Sequence, residues 1–103
     1  MRPAQRQAIS REISRQMIEH GFPREVSACG WSGDLTSASQ TIVLDDIGDW
    51  SGHQNMKILF DLVDFFGTKP EDVKWETDSY DEYGITELHL HFSKVDLTRF
   101  NKK

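Results

Sequence analysis

The apolar residues of this 103-residue chain change their spacing three times, and each change dictates an element type. From Pro3 to about His20 the period is helical, with Ile9, Ile13 and Met17 at i, i+4 and i+8. Pro3 suits a first helical turn, Gly21 is a natural stop, and Phe22-Pro23 does not continue a helix. Arg11 and Arg15 fall opposite the apolar stripe, as a solvated outer face. Between Glu25 and Ile47 the period shortens to alternation. Val26 to Trp31 and Leu35 to Leu44 read as a hairpin turning at Ser32-Gly33-Asp34, with Ala38, Ile42 and Leu44 on one face and Ser39, Thr41 and Val43 on the other.

After a loop from Asp45 to Gly52, a second helical stretch runs to Phe66 and stops at Gly67, with Ser51 as its expected cap. Met56, Leu59, Phe60 and Val63 form its main stripe, and Ile58, Leu62 and Phe65 widen the apolar arc beyond what one sheet face requires. Such a helix is either centrally buried or partly covered by a partner, for example in a homodimer through this helix. Alternation then returns. Val73, Trp75 and Thr77 alternate with Lys74, Glu76 and Asp78, and Leu88, Leu90 and Phe92 with Glu87, His89, His91 and Ser93, around a turn at Asp81-Glu82-Tyr83-Gly84. The tail 96–103 is expected to fray unless Leu97 and Phe100 dock it.

The order α-β-β-α-β-β predicts an α+β fold: one domain over residues 1–103, with a four-stranded, mainly antiparallel sheet and both helices packed on one face. By element order alone it is a circular permutation of the ferredoxin-like βαββαβ pattern. Length agrees, since a chain of this size buries about 65% of its unfolded surface, enough for one core. With 37% hydrophobic and 11% aromatic residues the chain is too apolar at patterned positions to stay disordered. A lone Cys29 permits no intrachain disulfide, and neither a secretory leader nor an apolar run near the ~20 residues that span a bilayer is visible. These features predict a cytoplasmic protein.

Charge is unevenly spread. Residues 1–33 carry +2, residues 34–87 carry −10 and residues 88–103 carry +3, which together make the formal −5. An acidic balance repels nucleic-acid phosphate and anionic lipid, so direct nucleic-acid binding is disfavoured and no membrane association is expected.

Few residues carry chemistry. Glu87, His89 and His91 share one strand face, and two His at i, i+2 can converge on one ion, with His53 as a further donor; a solvated polar face explains the same pattern. Gly30-Trp31-Ser32-Gly33-Asp34 misses the nucleophile-elbow pattern by one residue, and that elbow needs a large parallel sheet for which this chain has no room. Cys29 reads as a small buried packing residue. No catalytic residue and no cofactor is assigned.

What remains is the acid itself. Asp45, Asp46 and Asp49 lie beside Trp50 in one loop, and Asp78, Asp81 and Glu82 crowd a hairpin tip beside Tyr80 and Tyr83. Solubility accounts for scattered carboxylates, whereas aromatic anchors among clustered charge suit a protein interface, and carboxylate clusters attract basic surfaces. The expectation is a non-enzymatic binding protein, an inhibitor or an immunity or antidote type such as phages and toxin systems employ. It would cover a basic site on a larger protein, including a site that itself grips nucleic acid. A metal-binding protein built on Glu87, His89 and His91, or an accessory subunit or homodimer, are the alternatives.

Overall fold

A computed structural model describes residues 2–45, 52–80 and 85–101, the side chains of residues 52, 78–80, 85 and 86 excepted. Helix α1 spans Pro3–His20, strands β1 and β2 span Val26–Asp34 and Ser37–Leu44, helix α2 spans Gly52–Phe66, and strands β3 and β4 span Val73–Tyr80 and Ile85–Val95. Short 3₁₀ turns at Pro70–Asp72 and Thr98–Phe100 precede β3 and follow β4. The order is the predicted α-β-β-α-β-β.

Both helices stop where glycine permits a left-handed residue. Gly21 has φ 100° and Gly67 φ 67°, and Phe22 and Thr68 reach back to the carbonyls of Met17 and Val63, the Schellman pattern that satisfies the last free carbonyls. At the other end of α1, Gln5 Oε1 accepts the Arg2 N–H at 3.0 Å. The outer face of α1 is solvated as expected: Arg11 and Arg15 are exposed, and Arg15 bonds Glu12 and Glu19 on the same helix.

The sheet is antiparallel throughout, in the order β1-β2-β4-β3. β2 and β3 both run against β4, which lies between them, so β2-α2-β3 is a split β-α-β unit. Ile9, Ile13 and Met17 of α1 and Ile58, Leu62, Phe65 and Phe66 of α2 bury against Val26, Ala38, Ile42, Leu44, Leu90 and Phe92 on a single sheet face. Each such large side chain contributes roughly 1.5–3 kcal/mol on leaving water.

Four local readings need correction. The hairpin turns at Leu35–Thr36, because Asp34 pairs with Ser37 and β1 therefore runs through Ser32-Gly33. Leu35 packs on the core and its carbonyl takes the Leu97 N–H at 2.9 Å, which favours the later turn. Cys29 is exposed because it is the extra residue of a β-bulge between Ala28 and Gly30. The tail docks as far as Asn101: Leu97 and Phe100 are buried, and Arg99 stacks on Phe65 and Phe100 while donating to the Phe65 carbonyl.

The fourth concerns α2. Ile58, Leu62 and Phe65, expected as surplus, face the core, whereas Met56 and Phe60, expected in the core stripe, are 52% and 49% exposed. The helix sits beside α1 and over β4, with Phe65 against Phe22 and Phe66 against Phe92. This leaves the β3 edge uncovered and rotates the buried arc away from Met56 and Phe60. The Ser51 cap and the Asp81–Gly84 turn lie outside the described residues.

Candidate functional site

Two regions bear on function: the end of the sheet where acid-rich segments begin, and the edge where α2 fails to cover β3. Register defines the first. Leu88 pairs with Leu44 on one side and Thr77 on the other, so β2 ends and β4 begins at the same end of the sheet at which β3 runs out. The segments that follow Leu44 and Thr77 hold every acidic residue singled out above for a partner. Asp45 is exposed, and its N–H donates to the Glu25 carbonyl at 2.8 Å. Asp78 and Tyr80 are described in backbone only, opposite Glu87 and Ile85. Asp46, Asp49, Trp50, Asp81, Glu82 and Tyr83 lie outside the described residues.

Glu87, His89 and His91 do share the sheet face turned away from the helices, because Leu88, Leu90 and Phe92 between them face the helices. His91 is engaged at both ring nitrogens, Nδ1 with Thr41 Oγ1 at 3.1 Å and Nε2 with Glu76 Oε1 at 2.9 Å. An ionised carboxylate only accepts, so in the neutral ring Nε2 carries the proton and Nδ1 takes the Thr41 hydroxyl hydrogen. His89 Nε2 bonds Glu87 Oε2 at 2.9 Å in the same way. A metal ion would have to displace the Thr41 hydroxyl to reach the ring lone pair of His91. Among the described residues no three His, Cys, Asp or Glu side chains are grouped as a metal site requires.

The second region was not singled out in the sequence. A groove of about 390 Å³ runs between α2 and β3, lined by Asn55, Met56, Leu59, Trp75, Thr77, Leu88 and Leu90. Trp75 is 64% exposed although it alternates correctly onto the helix side, opposite Leu90. Met56 and Phe60 stand one turn apart on the flank of α2. Asn55 places a buried Oδ1 at the groove without a hydrogen-bond partner. The alternation of β3 is legible in the sequence, but its position at the edge, beyond the reach of α2, is a property of strand order.

No helix is long and apolar enough to cross a membrane among the described residues. No protein-family model, no curated protein and no solved structure matches the chain.

Proposed function

We propose that this chain is a non-enzymatic protein-binding module of the inhibitor or immunity type, which covers a basic surface of a larger protein with the acid-rich end of its sheet. The observation that carries the reading is the strand register: Leu44, Leu88 and Thr77 lie side by side, so the segments bearing Asp45, Asp46, Asp49 and Trp50, and Asp78, Tyr80, Asp81, Glu82 and Tyr83, start from one end of one rigid sheet. Charge gathered at a pole steers a basic partner and fixes its orientation, while aromatic side chains among the charges supply desolvated contact. The same charge repels phosphate, so the partner is a protein, including one whose basic surface serves nucleic acid. An exposed single thiol at Cys29 fits a reducing compartment, and we assign the chain to the cytoplasm.

The test is affinity capture from the native host at low salt with the full chain as bait, followed by a salt step. A basic protein released by the step is the expected result, because exposed charge pairs weaken once the screening length falls below ~10 Å. A lysate that yields no salt-labile protein sinks the proposal.

A further inference from the structure

The two edges of the sheet differ. β1 carries a bulge at Cys29, and its Trp31 carbonyl is taken by Arg6 of α1 at 3.0 Å, with the guanidinium 4.0 Å over the Trp31 ring. Bulges and covering side chains are the usual means by which an edge avoids pairing with another chain. β3 has neither. It pairs with β4 without a register break from Val73↔Phe92 to Tyr80↔Ile85, holds no Gly or Pro, and sets the exposed Trp75 beside the apolar groove. A long regular edge next to an apolar groove is the template for strand addition.

The strand is also complementary to itself. Lys74 and Glu76 flank Trp75, both exposed on the face away from the helices, opposite His91 and His89. If a second copy of β3 runs antiparallel with the two-fold axis at Trp75, residue 75+k of one copy faces 75−k of the other. Lys74 then lies opposite Glu76 of the second copy, and Glu76 opposite its Lys74, giving two directly opposed ion pairs of the kind that stabilise sheets. On the helix side the two Trp75 rings meet. With α2 over β4, the two α2 helices stand about three strand spacings, ~14 Å, apart, close enough for Met56 and Phe60 of both copies to cover the tryptophans. By the same rule Asp78 falls opposite Asp72 of the second copy, so the pairing is confined to Val73–Thr77, and beyond it the acid-rich ends point in opposite directions.

We propose that β3 is a self-association edge: two copies of this chain join β3 to β3 about Trp75, forming a continuous eight-stranded sheet. Trp75, Met56 and Phe60 together bring roughly 350 Å² of apolar surface per copy, which with the strand backbone reaches the low end of interface sizes, that of weak association seen only at high micromolar concentration. The paired residues stop at Thr77, short of Asp78 and Tyr80 at the acid-rich end, so either proposal can fail without the other.

Sedimentation velocity on the full chain tests it. The wild type is expected to shift, at high micromolar concentration, from the 11.9 kDa monomer to twice that mass. Lys74→Glu and Glu76→Lys each set like charges opposite one another across the two-fold axis, and each weakens association about tenfold. The first variant is acidic at both positions that flank Trp75, and the second is basic at both. Mixed in equal amounts, the two therefore pair with each other, acid opposite base at each position, and the dimer returns. Both positions are exposed, and circular dichroism checks that both variants keep the fold. A wild type that stays monomeric overturns the proposal and leaves the edge to a strand from a different protein. A wild-type dimer that neither reversal weakens, or that the mixture does not restore, also overturns it by moving the interface elsewhere.

Discussion

Paired substitutions in α2 give the sharpest check on how the helix is set. Phe60 and Leu62 are two residues apart, about 200° around the helix, so they cannot both face the core. Leu62 is 0% exposed and packs in the main cluster, whereas Phe60 is 49% exposed on the flank toward β3. Leu62→Ala removes buried methyl groups and leaves a cavity that the rest of the cluster cannot fully close, at a cost of about 3 kcal/mol. In a domain of this length that lowers Tm by roughly 12–20 °C. Phe60→Ala gives up only about half of a phenylalanine's transfer energy and opens no enclosed cavity, so the cost is about 1 kcal/mol or less. The assay is urea unfolding followed by circular dichroism at low micromolar concentration, where self-association contributes nothing. An unchanged slope confirms that the shift in midpoint reports stability. If Phe60→Ala costs as much as Leu62→Ala, the helix is rotated toward the stripe that hydrophobic periodicity suggests, and the uncovered β3 edge disappears with it.

Three further outcomes follow from local chemistry. Gln40 is 1% exposed and its Nε2 donates to the carbonyls of Gly30 and Thr41 at 2.8 and 2.9 Å, while its buried Oε1 has no partner; Gln40→Leu keeps the volume, removes both bonds along with the unpartnered oxygen, and lowers stability by about 1 kcal/mol in the same urea assay. Lys94 holds φ 58° at the β4 bulge, and its exposed side chain makes one ion pair, with the half-buried Asp72 at 3.5 Å, so Lys94→Gly relieves more strain than it loses and raises stability by about 0.5 kcal/mol. Asp96 accepts from the Thr98 N–H and hydroxyl at 2.9 and 2.6 Å, which holds its carboxyl below the usual range. A depressed folded-state pKa gives stability that is present above the unfolded value of about 4 and lost as pH falls through the folded one. Thermal melts of wild type and Asp96→Asn should therefore differ at neutral pH and converge in strong acid; a gap independent of pH contradicts this.

The parts of the fold governed by local patterning are legible in the sequence. Ile9, Ile13 and Met17 mark the buried side of α1, Gly21 and Gly67 end the helices, and Ala38, Ile42 and Leu44 mark the inner face of β2. What is hidden depends on relations between elements. Leu35 joins the turn because the distant Leu97 takes its carbonyl, and Cys29 is expelled by a bulge that no periodicity announces. Met56, Phe60 and Trp75 carry core-like residue types at core-like spacing, yet they are exposed because the strand order β1-β2-β4-β3 extends the sheet past α2. The acidic segments are plain in the sequence, while their common origin at one end of the sheet follows only from the pairing of Leu44 and Thr77 with Leu88.

The acid-rich end is the proposed contact surface for a basic protein. The most direct measurement is parallel capture from native-host lysate with the wild-type chain and with a chain carrying Asp45→Asn, Asp46→Asn, Asp49→Asn and Asp81→Asn. The wild type is expected to retain a basic protein at low salt, and the neutralised chain, equally folded by circular dichroism, to release most of it. Equal recovery of the same protein on both chains would contradict the proposal.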